Sequence, residues 1–143
     1  MADIQETLIT HLWGLLTTDN TLKTLMGGTV RLALTWAQPD CLFPYIVHRI
    51  DMANLNDWSP IRKCTYYLDI WSYSPNAGEA LNIKERVMEL LDNLVFVVDN
   101  TKSWMWIQTN GFIPESEQGI NHYACQFNLN FIRNAQIGQI LTR

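Results

Sequence analysis

The segment at residues 64–94 constrains the fold most, because its hydrophobic period changes once along its length. The first part alternates with period two, which is typical of a strand with one buried face. Its inward residues are Cys64, Tyr66, Leu68 and Ile70. In the second part, apolar residues recur at three- and four-residue steps and share one helical face. They are Ala80, Ile83, Val87, Leu90, Leu91 and Leu94. The segment therefore predicts a strand that leads directly into an amphipathic helix.

The start of this helix has two candidate caps. Ser74 followed by Pro75 offers a capping hydroxyl and a proline at the first helical position. Asn76 with Glu79 three residues later is a competing capping pair. The helix is predicted near residues 76–94, with its first turn left open between these two patterns.

Length and composition are those of one folded domain. The chain has 143 residues, of which 48% are hydrophobic and 17% charged. A chain of this length buries enough surface to hold a core by itself, so we predict one domain over residues 1–143. The last stretch, residues 134–143, is predicted to be a loose tail. Six tryptophans beside so few charges indicate either a Trp-rich core or aromatic surface covered by a partner.

Charge and cysteine content exclude several classes of function. The net charge is −4 and no basic run occurs, which argues against nucleic acid as a tightly bound ligand. No apolar run approaches the roughly 20 residues of a membrane span, and the N-terminal residues lack a basic segment followed by an apolar core. The protein is therefore expected to be made and kept in a cytoplasm. Cys41, Cys64 and Cys125 lack a CxxC spacing and are interpreted as small hydrophobic residues, without redox or metal roles.

The other elements follow from the same periodic patterns. Asp3 with Glu6 caps a first helix predicted over Ile4–Thr17, and Asp19 caps a short second helical turn that Gly27-Gly28 ends. Strands are predicted at residues 30–34, 45–52, 95–98, 104–109 and 122–132, with loops at 35–44, 54–61 and 110–121. We expect an α+β fold: an antiparallel sheet of about four or five strands, packed by the N-terminal helix and the helix near 76–94.

Catalytic and metal-binding patterns are weak throughout the chain. His48 and His122 could be neighbours across the sheet and, with Asp69, could form a metal or enzyme site, but their spacing matches no ligand motif. The chain has no G-x-S-x-G motif, and Gly27-Gly28 lacks the Lys-Ser/Thr of a phosphate loop. Two acids on one loop, Glu115 and Glu117, are not a preorganised acid/base pair. No catalytic residue, metal ion or cofactor is predicted.

Large apolar side chains on predicted loops are the candidate contact residues. Trp58 follows Asp57 in one loop, and Phe112 and Ile113 lie in another, close to Glu115 and Glu117. Exposed apolar groups beside acids are typical of protein contacts. The alternative is that both loops fold back on the domain, and the pattern leaves the two open.

The order of elements and several phrases resemble one protein family. The N-terminal helix ends in a Gly pair, and F-P-Y-I-V, Y-Y-L-D-I-W-S-Y-S and A-G-E-A-L-N-I-K-E-R-V-M-E-L-L-D follow it. A late strand ends in H-Y-A-C-Q-F-N-L-N-F. These residues resemble the tail-completion (tail-terminator) proteins of long-tailed bacteriophages over about residues 4–132. The loops at 54–61 and 110–121 do not follow the family's pattern.

The resemblance implies a structural role in a virion. It implies a hexameric ring at the head-proximal end of the tail, in the neck, assembled in the host cytoplasm. The ring would end the tail tube, join it to the head-completion or connector protein, and let DNA pass through its lumen without specific binding. Such rings use heterologous contacts. The two loop tips (Asp57, Trp58, Phe112, Ile113, Glu115 and Glu117) and the tail ending in Arg143 are the candidate contacts.

Three alternatives remain beside this interpretation. The chain could be another ring component of the head–tail connector, since both would be small rings with similar folds. It could be a small α+β module that binds a ligand or peptide on its aromatic surface. The third, a small enzyme that uses His48, Asp69 and His122, is disfavoured by the lack of motifs.

Overall fold

The computed structural model describes residues 3–35, 41–52 and 60–133. Over these ranges the helices are α1 (Ile4–Thr17), α2 (Asn20–Leu25) and α3 (Gly78–Leu91). The strands are β1 (Leu32–Leu34), β2 (Tyr45–Met52), β3 (Arg62–Tyr73), β4 (Leu94–Val98), β5 (Thr101–Ile113) and β6 (Ile120–Arg133). No helix in the described part of the chain is both long enough and apolar enough to cross a membrane.

The strands form one mixed sheet in the order β1-β2-β3-β6-β5-β4, which curves into a half-barrel. Every neighbouring pair is antiparallel except β1 and β2, which are parallel. The predicted antiparallel sheet of four or five strands is therefore wrong in strand number and type. A parallel pair is possible here because residues 35–44 separate β1 from β2, whereas a tight two-residue hairpin would have made the pair antiparallel.

The long β5 is the second departure from the prediction, which placed its start at residue 104 and a loop from residue 110. A two-residue turn, Asp99-Asn100, has φ of 49° and 57°. Two positive φ values are typical of a type I′ hairpin turn, which lets β5 begin directly at Thr101. Beyond an irregularity between Ile107 and Thr109, β5 stays paired with β6 as far as Ile113. The side chain of Asn110 accepts a hydrogen bond from the Tyr123 hydroxyl, which fastens this extension.

The hydrophobic core lies between the helices and one face of the sheet. The inward alternation predicted for β3 and β6 is confirmed, since both rows are buried. From the sheet, the core includes Cys64, Tyr66, Leu68, Ile70, Tyr123, Cys125, Phe127, Leu129 and Phe131; from α1 and α3, it includes Leu8, Leu12, Leu16, Ala80, Ile83, Val87 and Leu91. Burial raises the pKa values of Cys64 and Cys125 to about 12, so both thiols stay protonated near neutral pH.

Helix α3 begins at Gly78, later than both predicted caps. Its N-cap residue, Ala77, makes no side-chain capping bond, while the Asn76 side chain accepts from the Gly78 N–H at 2.9 Å. In the same first turn, Glu79 accepts a 2.6 Å hydrogen bond from the Ser72 hydroxyl of β3. The start of α3 is therefore fixed by a local turn and by a side-chain bond to the sheet.

Asp19 joins α2 to α3. Its carboxylate caps α2 by accepting from the Leu22 N–H at 2.8 Å. The same group accepts two bonds from the Arg86 guanidinium of α3, at 2.9 and 2.6 Å. The Arg86 hydrogen bond holds the pKa of Asp19 below its usual value. One carboxylate thus stabilises a short helix and its packing against a long one.

Candidate functional site

The second face of the sheet, which we name the open face, is polar and aromatic and carries the candidate site. Its side chains alternate with those of the core along each strand and are mostly half-buried. They include Tyr45, Tyr67, Asp69, Trp71, Trp104, His122, Gln126 and Asn128. At the end where β6 begins, one aromatic row crosses three strands: Tyr45, Trp71 and His122 are direct neighbours in the ladders.

His122 lies at the centre of a three-residue ionic cluster on this face. Its Nε2 is 3.1 Å from Asp69 Oδ1 of β3, and its Nδ1 is 2.9 Å from Glu115 Oε1 of the β5–β6 loop. The imidazole stacks on Trp71, with ring centroids 3.8 Å apart and planes within 16°. The imidazole ring of His122 is nearly buried. Its contact with Glu115 holds the β5–β6 loop against the sheet.

The geometry of the cluster matches a protonated His122. A neutral imidazole has a single N–H, and an ionised carboxylate can only accept, so two such bonds require the imidazolium form. Burial by itself lowers the pKa of His122. The hydrogen bonds and charges of Asp69 and Glu115 outweigh burial and raise this pKa above its ordinary value of 6.5. The cluster is therefore charge-assisted near neutral pH.

We expect an NMR titration of the His122 ring to give a pKa above 6.5 in the folded protein. A folded pKa above the unfolded one contributes stability that is fully present below pH 6.5 and is lost as the pH rises through the folded pKa. Glu115→Gln removes one charge and should lower the His122 pKa, while Glu117→Gln, on the same loop, is the control and should leave it unchanged. A His122 pKa at or below 6.5 in the native chain would contradict this arrangement.

The tip surface is the apolar and acidic group at the end of the β5–β6 hairpin: Phe112, Ile113, Glu115 and Glu117. Phe112 is 45% exposed and Ile113 is 42% exposed. The Phe112 and Tyr123 rings pack in a T-shaped arrangement, with centroids 4.9 Å apart. A small cavity of about 260 Å³ is lined by Phe112, Ile113, Glu115 and His122, among other residues.

The loop behind the tip surface is braced by the connection between β3 and α3. The Ser74 N–H donates to the Gly119 carbonyl at 2.8 Å. The Asn121 amide donates to the carbonyl oxygens of Ser74 and Asn76, at 3.3 and 3.2 Å. Gly119 has a φ of 92° and lies under the ring of Tyr73, where a Cβ atom would be 3.6 Å from that ring. The loop is therefore ordered by the domain while Phe112 and Ile113 still face outward.

The structure separates two of the residues that the enzyme hypothesis combined. His48 lies on the core face, where its Nδ1 is 2.7 Å from the Tyr66 hydroxyl, whereas His122 lies on the open face. Of these two histidines, Asp69 contacts His122. Among the residues that the structure describes, no group of three His, Cys, Asp or Glu side chains is arranged so that it could hold a metal ion.

Three of the predicted contact residues lie outside the described residues: Asp57, Trp58 and Arg143. Sequence reasoning also missed exposed residues that the structure reveals. Tyr73 is exposed at the end of β3, and Val95 and Val97 are exposed on β4. The apolar run at residues 94–98 did not predict the exposure of the two valines, because a strand that is buried on both faces has the same pattern.

Comparison with known proteins gives a likeness in fold. No family model matches this chain, and no curated protein matches it either. A chain in a solved structure described as "Virion of native gene transfer agent (GTA) particle" superposes with a TM-score of 0.76. The match covers 92% of this chain and 98% of that chain, and 14% of the aligned residues are identical. At this identity the likeness establishes a shared fold over nearly the whole of both chains.

Proposed function

We propose that this chain is a structural virion protein of a phage-like particle, which forms a hexameric ring at the head-proximal end of the tail. The ring ends the tail tube and joins it to the head connector, and DNA crosses its lumen without specific binding. The observation that carries the proposal is the fold shared with a chain of the gene transfer agent virion over nearly the full length of both. The sequence resemblance to tail-completion proteins supports the more specific position in the tail.

The surface chemistry of the described residues is consistent with an assembly role. The net charge of −4 disfavours tight binding to DNA that must move past the protein. Exposed apolar side chains at the tip surface match the pattern of a protein contact, since burying Phe112 and Ile113 against a partner would add apolar area. We assign the tip surface to a contact with a neighbouring component of the tail or connector, and no enzymatic activity is proposed.

The experiment that tests the ring is the solution mass of the purified protein, by light scattering at two concentrations, followed by negative-stain imaging. We expect a closed ring of about six copies whose central hole is wide enough for duplex DNA. A second test is mass spectrometry of purified particles from a lysate that contains this protein. A protein absent from particles and unable to form rings in solution would contradict the proposal.

A further inference from the structure

Strand β4 is an outer edge of the sheet that the described residues form. It is last in the strand order, and its sequence LVFVV contains no charged residue and no proline. Val95 is 59% exposed and Val97 is 66% exposed, although both lie in a strand of apolar residues. Native sheets usually protect an edge with charges, proline or a covering element, because a bare edge pairs with other chains. The exposed valines therefore indicate an edge that is covered in the assembled state.

The free backbone groups of β4 belong to the same two valines. Val98 and Thr101 flank the two-residue turn, so they form the hydrogen-bonded pair that closes the hairpin. Pairing alternates along an antiparallel ladder, so the amides of Val95 and Val97 point away from β5. Within the described ranges, neither valine has a backbone hydrogen bond outside the β4–β5 ladder. The outward backbone groups of β4 and the exposed side chains of Val95 and Val97 therefore form one continuous strip to which another chain can dock.

The opposite edge of the sheet carries a groove of about 610 Å³, bounded by the start of α1, the end of β1 and the end of β2. Ile9 and Leu34 give it an apolar lining, and Leu34 is 53% exposed. Three carboxylates, Asp3, Glu6 and Asp51, line it together with one guanidinium, that of Arg49, which is ion-paired with Asp51. The groove is thus apolar within and acidic at its rim.

The charge beside β4 is complementary to this rim. Lys102 is the direct ladder partner of Val97, so its exposed side chain lies on the same face as that valine. An apolar strip with a cation at one edge, and an apolar groove with an acidic rim at the other, complement each other in a head-to-tail contact. Repeated head-to-tail contacts form a ring when the rotation between copies closes, and a filament when it does not.

We propose that a second copy of this chain covers the β4 edge: Val95, Val97 and Lys102 of one copy dock in the groove beside Leu34 of the next. The inference rests on the proposed ring and names the contact that closes it. The contact is heterologous, so each copy uses both edges of its sheet, and the tip surface stays free for a different component.

Cysteine crosslinking tests this contact in the purified full chain. In a Cys41→Ser background, which removes the partly exposed native thiol, Val97→Cys and Leu34→Cys are introduced singly and together. With a short bismaleimide crosslinker, the double variant should give a ladder of covalent oligomers on a denaturing gel. Each single variant should stay monomeric, because a head-to-tail contact does not bring two copies of one position together.

Surface variants give an independent measure of the same contact. The double variant Val95→Lys/Val97→Lys should self-associate roughly tenfold more weakly than the native chain, or more weakly still, as measured by light scattering. Leu81→Lys is the matched control, because Leu81 is an exposed apolar residue on α3, away from both edges, and should associate like the native chain. Circular dichroism checks that each variant is folded.

Three results would overturn the edge contact. Crosslinked dimers of the Val97→Cys variant alone would mean that two β4 edges pair symmetrically. If the Val95→Lys/Val97→Lys variant forms normal rings, the β4 edge is not part of the interface. The proposed ring itself would be unaffected by that result. A native chain that is monomeric at every concentration would exclude this contact, and the virion role would then be decided by the content of purified particles.

Discussion

The free energy of unfolding should fall by about 3 kcal/mol between pH 7 and pH 4 because of one residue, His48. His48 is 1% exposed on the core face, and no carboxylate among the described residues contacts it. Burial lowers its pKa from 6.5 to about 4. Between these two values the unfolded chain binds a proton that the folded chain excludes, so stability is fully present above pH 6.5 and is lost as the pH falls toward 4.

The neutral variant His48→Gln isolates this effect. A glutamine can still bond the Tyr66 hydroxyl and does not titrate, so its urea unfolding free energy should vary less between pH 6.5 and pH 4 than that of the native chain. The Asp19 carboxylate also contributes stability that is lost in acid. Its pKa lies below 3.8, so this loss occurs at a lower pH than the loss caused by His48. Equal pH slopes for the native chain and His48→Gln between pH 4 and 6.5 would contradict the assignment.

Phe127→Ala should destabilise the fold by about 3–5 kcal/mol, measured by urea unfolding at neutral pH. Phe127 lies in the central strand β6 with no exposed surface, and its ring packs on Tyr66 of β3 with centroids 6.1 Å apart. The substitution removes a large apolar side chain and leaves a cavity beneath the two strands that supply most of the sheet's part of the core.

The matched control for this change is Phe112→Ala, the same substitution on the tip surface. Phe112 is 45% exposed, so the expected loss of stability is below about 1 kcal/mol. Its effect should appear in assembly, as fewer joined tails or incomplete particles. A Phe112→Ala chain that assembles normally would remove the tip surface from the proposed contacts, and a Phe127→Ala loss below about 1 kcal/mol would contradict the packing of the core.

Local periodicity predicted the core of this molecule well. The alternation of β3 and β6, the stripe of α3 and the bounds of α1 and β2 follow from side-chain spacing alone, because each element buries one face. The order of strands was beyond such reasoning. Whether β1 runs parallel to β2 depends on the path of the connection between them, and no residue in β1 encodes that direction.

The candidate site was predicted only in part. The sequence placed Phe112 and Ile113 on a loop and left open whether they fold back on the domain; in the structure both lie at the end of β5 and are partly exposed. The link between Glu115 and His122 was missed, because β6 and its loop had to be placed beside β3 before Asp69 could complete the cluster. The exposure of Val95 and Val97 was missed for a related reason: an edge is a property of the assembled sheet, and the strand itself looks buried.

The central pair of strands has a consequence for the order in which this chain folds. β3 pairs along its whole length with β6, and α3, β4 and β5 all lie between them in sequence. Pairing over such a separation carries a large loop-closure cost, and it slows folding relative to the local hairpins. During synthesis, one edge of β3 therefore has no partner until β6 has left the ribosome, and such an unpaired edge is a site at which a growing chain can aggregate.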